Sequence, residues 1–114
     1  MDLAIQLLTG GVGKASAAED VPVKTFLAGG RPNPFNPSTT IHFDLAKTAD
    51  AMLSIYDIAG RLVYKFDREK LQPGRYDRAW TGRNDQGQHV AAGIYLVRLV
   101  AGSETFQKKI VLVK

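Results

Sequence analysis

The fold of this chain is decided by two stretches near its end, Ile94-Tyr-Leu-Val-Arg-Leu99 and Thr105-Phe-Gln-Lys-Lys-Ile-Val-Leu-Val113. Both stretches are rich in β-branched, aromatic and aliphatic residues, which favour β-strands. The linker between them, Ala101-Gly-Ser103, is short and contains a glycine, as hairpin turns do. The two stretches therefore predict an antiparallel β-hairpin.

Upstream of the hairpin the strand pattern recurs at intervals of about ten residues, without a helical period. Strands are predicted at 23–27, on a sheet edge, and at 39–45, 51–57, 61–66 and 75–80. In three of them every second residue is apolar, so one face of each strand is expected to be buried. The residues expected on these buried faces are Ile41, Phe43, Leu45, Leu53, Ile55, Leu62, Tyr64 and Phe66.

About seven short strands with this spacing predict an all-β protein, an immunoglobulin-like antiparallel β-sandwich with an N-terminal extension. A small β-barrel is the main alternative. The single tryptophan, Trp80, is expected in the core. Three prolines in 31–38 exclude a helix or a central strand there and predict a rigid loop. Phe35 lies within this loop and is expected to plug one end of the core.

The first residues form a segment distinct from the sandwich. Its apolar residues fit a short helix and a strand equally well, and a linker rich in Gly, Ala and Ser follows. A signal peptide is the rival interpretation, but no positive charge precedes the apolar residues. We therefore predict an N-terminal apolar segment and flexible linker over 1–22 and the sandwich over 23–114. The apolar residues of the segment are Leu3, Ile5, Leu7 and Leu8.

Composition narrows the possible functions. The 114 residues suffice for one domain, and the absence of cysteine excludes disulfides, thiolate metal sites and a cysteine nucleophile. The formal net charge is +4, but the basic residues are scattered and acidic residues lie between them. This pattern argues against a nucleic-acid partner. No apolar run in the sequence is long enough to span a bilayer.

No group of residues has the pattern of a catalytic or metal site. The two histidines, His42 and His89, stand apart and lack the spacing of zinc ligands. No serine has the Gly-x-Ser-x-Gly context of a hydrolase nucleophile. The turn 84–87 weakly resembles a calcium loop but lacks the alternating ligands and the closing glutamate. We therefore expect no enzyme activity, cofactor, metal or small-molecule substrate, but a binding, targeting or structural module.

Four motifs, read in order, give a more specific indication. They are Asn33-Pro-Phe-Asn-Pro-Ser-Thr-Thr-Ile41, Ile55-Tyr-Asp-Ile-Ala-Gly-Arg-Leu-Val63, Trp80-Thr-Gly-Arg-Asn-Asp-Gln-Gly-Gln-His-Val-Ala-Ala-Gly-Ile-Tyr95 and Lys108-Lys-Ile-Val-Leu-Val-Lys114. Together they resemble the C-terminal sorting domain (type A) of type IX secretion cargo. That domain shares its fold with the immunoglobulin-like domain of flagellar hook-capping proteins. The residues that carry structural motifs in this resemblance are Asn33, Pro34, Phe35, Asn36, Pro37, Tyr56, Asp57, Gly60, Trp80, Gly82, Gly87, Gly93 and Tyr95.

The resemblance implies a non-catalytic targeting role and an exported protein, between the periplasm and the outer-membrane surface or the medium. It implies two partners, the type IX translocon and a sortase-like protease that cleaves within 13–30. The translocon is expected to recognise the last strand through its charges, its alternating apolar side chains and its backbone. The residues implied in this recognition are Lys108, Lys109, Ile110, Val111, Leu112, Val113 and Lys114.

An alternative function is a structural subunit of an extracellular fibre or tube. In this hypothesis the chain self-associates through its N-terminal segment and through exposed strand edges. The residues expected to carry the assembly are Leu3, Ile5, Leu7 and Leu8, which would pair with or pack against a neighbouring copy.

Overall fold

A computed structural model describes residues 21–114, and these residues fold into eight β-strands. Within that range no helix could cross a membrane. The predicted assembly segment, Leu3 to Leu8, lies outside the described residues. The strands are β1 (Phe26–Arg31), β2 (Thr39–Leu45), β3 (Ala49–Asp57), β4 (Leu62–Lys65), β5 (Glu69–Leu71), β6 (Gly74–Trp80), β7 (Gly93–Ala101) and β8 (Glu104–Leu112).

The strands form two antiparallel sheets. The smaller sheet has the order β1-β2-β6. The larger has the order β4-β3-β7-β8, and the short strand β5 also pairs with β3, at the start of that strand. The hairpin predicted from the sequence is β7–β8, whose register runs from Gly93 opposite Leu112 to Ala101 opposite Glu104. Strand β8 is therefore an edge strand of the larger sheet.

The core lies between the two sheets, as the alternation of the sequence predicts. Strand β2 buries Ile41, Phe43 and Leu45, and β3 buries Leu53 and Ile55. The hairpin contributes every second residue of β7 and two residues near the end of β8, because successive side chains in a strand point to opposite faces. These buried residues are Tyr95, Val97, Leu99, Ile110 and Leu112. The all-β sandwich with an immunoglobulin-like core is thus confirmed.

Three details of the predicted strands were wrong. The first strand is not 23–27 but Phe26–Arg31, because a bulge after Leu27 lets two glycines continue the pairing with β2. Strand β5 was missed, since three residues without an apolar pattern give no signal. Leu62 is exposed instead of buried: a bulge places it opposite Tyr56 and breaks its alternation with Tyr64.

The two ends of the sandwich are formed by different segments of the chain. At one end, which we term the loop end, lie the proline loop 31–38, the turn after Asp57 and the C-terminal end of β8. The opposite, N-terminal end is where the described chain begins. There the hydroxyl of Thr25 accepts a hydrogen bond from the amide of Ala46 (2.9 Å), beside the β2–β3 connection.

Candidate interaction surface at the terminal strand

The side chains of β8 alternate between the core and the solvent. Ile110 and Leu112 are buried against β7, whereas Val111 is half-buried on the outer face of the larger sheet. The three lysines of the closing motif are all exposed: Lys108 and Lys109 within the strand and Lys114 after it. The terminal motif therefore has Lys109 and Val111 on its outer face, whereas Lys108 lies on the same side as the buried Ile110 and Leu112, next to Gly29 of β1.

The C-terminal half of the β8 edge is capped by the proline loop. Asn33 imitates a neighbouring strand: its side-chain oxygen accepts a hydrogen bond from the amide of Val111 (2.9 Å). Its side-chain nitrogen donates to the carbonyl of Lys109 (3.2 Å). Phe35 continues the pairing with its backbone, donating to the carbonyl of Val111 and accepting from the amide of Val113, both at 2.9 Å. The outward backbone groups from the Lys109 carbonyl to the Val113 amide are thus occupied.

The N-terminal half of the same edge has no such cap. The outward groups of β8 belong to alternate residues, so the backbone N–H and C=O of Thr105 and Gln107 face the same side as those of Val111. In the described part of the chain no strand pairs with them there. Addition of a partner strand to β8 at Thr105–Gln107 therefore does not require displacement of the proline loop.

An aromatic cluster anchors the capping loop. Phe35 is 1% exposed and lies 5.6 Å from the ring centre of Trp80, confirming that it plugs one end of the core. Trp80 also contacts Tyr95 in an edge-to-face arrangement, with ring centres 5.4 Å apart. The indole N–H donates to the carbonyl of Arg83 (2.9 Å), and the Tyr95 hydroxyl donates to that of Ala91 (2.6 Å). The cluster joins the proline loop to the central motif.

The glycine and asparagine of the central motif shape the loop beside this cluster. Gly82 has φ of +73°, and a Cβ there would lie 3.0 Å from the carbonyl oxygen of Pro37. Glycine is therefore required both by the backbone conformation and by the close approach of the proline loop. The side chain of Asn84 accepts hydrogen bonds from the amides of Gln86 and Gln88, each 3.0 Å. These local bonds account for the polar turn without a metal ion.

The second motif forms the tight turn between β3 and β4. The carboxylate of Asp57 accepts hydrogen bonds from the amides of Ala59 and Arg61 and from the Arg61 guanidinium, each 2.9 Å. The backbone bond from Arg61 is the main reason why the pKa of Asp57 lies below its ordinary value. Burial raises the pKa of the Tyr95 hydroxyl, and the nearby negative charge of Asp57 raises it further. Asp57 and Tyr95 thus both lie at the loop end of the sandwich.

A separate groove lies on the outer face of the smaller sheet. It has a volume of about 540 Å³ and is lined by polar side chains and by the backbone of two glycines of β1. His42 is half-buried there, with Nδ1 2.6 Å from a carboxylate oxygen of Asp77 and Nε2 3.0 Å from one of Asp44. Among residues 21–114 no group of three His, Asp or Glu side chains has the arrangement of a metal site.

The structure brings together residues that the sequence treated as separate motifs. Asn33, Phe35, Trp80 and Tyr95 meet at the C-terminal half of β8, where the last motif ends. Asn33 belongs to a motif in the sequence, but the sequence predicts no role for its side chain. Its two hydrogen bonds reach Lys109 and Val111, which lie 76 and 78 positions later in the sequence, and no local pattern indicates such a pairing.

Comparisons with known proteins agree with this architecture. The family described as the FlgD Ig-like domain matches residues 33–105, more than half of the chain. Among solved structures, the chain is similar to dimeric latent PorU from Porphyromonas gingivalis, with 25% sequence identity and a TM-score of 0.64. That likeness covers 78% of this chain and 9% of PorU. Comparison with curated protein sequences gave no significant match.

Two further structures share the fold at lower identity. PorZ of P. gingivalis, a surface component of its type IX secretion system, is 22% identical with a TM-score of 0.51, over 90% of this chain and 12% of PorZ. FlgD from Xanthomonas campestris, a protein of flagellar hook capping, is 18% identical with a TM-score of 0.52, over 80% of this chain and 63% of FlgD. This chain spans less than two thirds of each of the three proteins. On its sequence match and its fold, the chain belongs to the FlgD Ig-like domain family.

Proposed function

We propose that this domain is a non-catalytic sorting domain that directs attached cargo through a type IX secretion system to the cell surface. The proposal is supported by the four ordered motifs and by the likeness of the fold to PorU and PorZ. Its partners are a type IX translocon and a sortase-like protease, which cleaves within 13–30. The protein is accordingly exported, from the periplasm to the outer-membrane surface or the medium.

The observation that carries the proposal is the form of the terminal strand. Its C-terminal half is anchored by the core on one side and by Asn33 and Phe35 at its edge, so it is a fixed part of the folded domain. A folded domain with a fixed strand presents the same side chains at every encounter, which lowers the ordering cost of binding.

The accessible features of this strand are its side chains. Lys109, Val111 and Val113 point to the outer face of the larger sheet, with Lys108 and Lys114 exposed nearby. Because the backbone of this half is already bonded, a translocon that reads it does so through the lysine charges and the two valines. On β8, strand addition by a partner is limited to Thr105–Gln107.

The test is secretion of a periplasmic reporter fused in front of the whole chain, in a host with type IX machinery. The wild-type fusion is expected at the surface or in the medium. Replacing Lys108, Lys109 and Lys114 together by Glu should retain the reporter in the periplasm, since it reverses the charge of the recognised strand. The matched control replaces three exposed lysines away from that strand, Lys24, Lys47 and Lys70, by Glu.

Periplasmic retention of the wild-type fusion would contradict the sorting role, provided that protease resistance shows the domain to be folded. Equal export of the two triple variants would contradict recognition through the terminal lysines. Circular dichroism of both purified variants checks that neither has lost its sheet structure.

A further inference from the structure

The larger sheet has two outer edges, one at β8 and one formed by β4 together with the short strand β5. Strand β4 ends the order of the sheet on the side away from β8, and no strand within residues 21–114 pairs with its outer side. An unpaired strand edge is a template for pairing with another chain, and folded proteins commonly protect such edges. On β4 the protection comes from the turn between β6 and β7.

Asp85 of this turn occupies two outward backbone groups of β4. Its amide donates a hydrogen bond to the carbonyl of Val63 (3.1 Å). Its carboxylate accepts one from the amide of Lys65 (3.2 Å). One residue thus bonds to two strand residues that are two positions apart, as a residue of a parallel neighbouring strand does. Asp85 therefore takes the place of a strand at this edge.

The same pattern of two bonds closes the C-terminal half of β8, on the other side of the sheet. Phe35 bonds through its backbone to Val111 and Val113, which makes it a parallel bridge. Asn33 bonds through its side chain to Lys109 and Val111. Both edges of the larger sheet are thus capped in one way, by a loop residue that imitates a parallel strand. The side chain of an asparagine or an aspartate supplies part of the bonds at each edge.

The turn that carries Asp85 is held in shape by bonds of its own. The guanidinium of Arg83 donates to the carbonyl of Gly87 (2.8 Å), and the amide of Gly87 donates to the carbonyl of Asn84 (2.9 Å). The carbonyl of Arg83 accepts from the buried indole of Trp80, which fixes the turn to the core. Because these bonds already order the turn, little further conformational entropy is lost when Asp85 caps the edge.

The short strand β5, beside β4, is bordered by an ion pair. The guanidinium of Arg78, on β6, donates to a carboxylate oxygen of Glu69, on β5, through Nε (3.2 Å) and Nη2 (2.9 Å). Strand β6 is an edge strand of the smaller sheet, so the pair spans the gap between the two sheets on this side. Charged side chains at an edge disfavour strand addition. On this side of the sandwich, Asp85 therefore protects the backbone of β4, and a charged pair borders β5.

We propose that Asp85 closes the outer edge of β4 against pairing with a second chain, so that β8, and not β4, is open to strand addition. A sheet that is open at both edges can add chains on either side, whereas a closed edge stops this growth. The central motif thus controls association in addition to forming a turn. This role does not depend on the sorting role, which is measured by secretion and not by association.

The first test is amide hydrogen exchange of the full chain. In Asp85→Ala the amide of Lys65 should exchange about tenfold faster than in the wild type, because its acceptor is lost. Asp85→Asn retains an oxygen acceptor and should keep most of the protection. The matched control is Asp67→Ala, which removes an exposed carboxylate between β4 and β5 and should leave the rate at Lys65 unchanged. Unchanged exchange at Lys65 in Asp85→Ala would overturn the proposal.

The second test is sedimentation velocity over a concentration series. Asp85→Ala should associate at concentrations about tenfold lower than the wild type, whereas Asp67→Ala should behave as the wild type. Adding Lys65→Pro to Asp85→Ala should restore the behaviour of the wild type, because proline removes the exposed N–H and obstructs strand pairing.

A second double variant keeps the association test decisive if proline disturbs the sheet, which circular dichroism detects. Adding Leu62→Lys to Asp85→Ala places a further charge on β4 and should weaken the association in the same way. Association of Asp85→Ala no stronger than that of the wild type would overturn the proposal. So would association that persists undiminished in both double variants, since the contact would then not pass through β4.

Discussion

The two halves of strand β8 belong to one continuous strand and share one neighbour, β7, but their edges differ. In the C-terminal half the carbonyls of Lys109 and Val111 and the amides of Val111 and Val113 are bonded to the proline loop. At Thr105 and Gln107 no outward backbone group is bonded within the described residues. A terminal strand therefore does not always present an unpaired edge. A loop distant in sequence decides which part of the strand remains available to a partner.

The capped half also lies over the most densely aromatic part of the core. Phe35 connects the cap to Trp80, so the loop cannot leave the edge without removing a buried ring from the core. At the other half, Phe106 is only partly buried and no strand of the described chain is hydrogen-bonded to the edge. The difference between the halves is therefore one of packing as well as hydrogen bonding.

The largest expected effect comes from removing the ring that anchors the cap. Phe35→Ala should lower the free energy of unfolding by about 3–5 kcal/mol, because it leaves a cavity beside Trp80. Phe26→Ala, at an exposed phenylalanine of β1, should cost much less. Denaturant unfolding measures both. Equal losses in the two variants would contradict the view that Phe35 is the anchor of the loop end.

A pair of proline substitutions tests the comparison at the level of single amides. Val111→Pro removes an N–H that donates to Asn33, whereas Gln107→Pro removes one without a partner in the described chain. We expect proline to strain the backbone similarly at both positions. The difference in unfolding free energy between the two variants therefore measures the lost hydrogen bond and the displacement of the loop. Val111→Pro should be less stable than Gln107→Pro by about 1–3 kcal/mol in denaturant unfolding. Equal stability would show that the cap contributes nothing.

Much of this architecture follows from local patterns, and the parts that do not have identifiable causes. Alternating apolar residues predicted the β7–β8 hairpin and the buried face of β2, because burial of one sheet face imposes a period of two. The exposure of Leu62 depends on a bulge, which shifts the register by one residue without changing the composition of the strand. Periodicity alone cannot locate such a shift.

The residues of the candidate site were predicted from the sequence, but their arrangement in space was not. The lysines and valines of the last strand were assigned from a motif, whereas the cap depends on Asn33 meeting Val111 across the molecule. The row formed by Leu62, Tyr56 and Leu96 on the outer face of the larger sheet was missed for the same reason: the three residues come from three strands, and only the register makes them neighbours. Contacts between distant strands require the topology, which the sequence patterns leave open.

A smaller loss of stability is expected on removing the side chain of Asn33, which caps the edge of β8. Asn33→Ala removes two hydrogen bonds at a solvent-accessible edge, so the loss of unfolding free energy should be about 1–2 kcal/mol. Hydrogen exchange should show the distinctive result: the amide of Val111 should exchange almost as fast as that of Gln107. Asn36→Ala, at an exposed asparagine of the same loop, should leave both rates unchanged. Continued protection of Val111 in Asn33→Ala would contradict capping by this side chain.

The smallest expected effect concerns acid stability at the loop end. Asp57 accepts two amide bonds and an arginine bond, and its pKa is lower in the folded protein than its ordinary value, mainly because of the Arg61 amide. A lowered folded pKa means that the carboxylate stabilises the fold above about pH 4, and that this contribution is lost as the pH falls through the folded pKa.

Asp57→Asn should therefore destabilise the protein slightly at neutral pH, and its deficit relative to the wild type should shrink as the solution is acidified. Thermal unfolding at a series of pH values measures the deficit, and Asp67→Asn, at an exposed carboxylate outside the turn, provides the matched control. Because the turn lies at the loop end, the loss should appear first in the exchange of the amides near Tyr95 and Val111, and later at Thr105. A deficit that stays constant from neutral to acid pH would mean that the charge of Asp57 does not stabilise the turn. The hydrogen bonds that remain with asparagine would then account for its conformation.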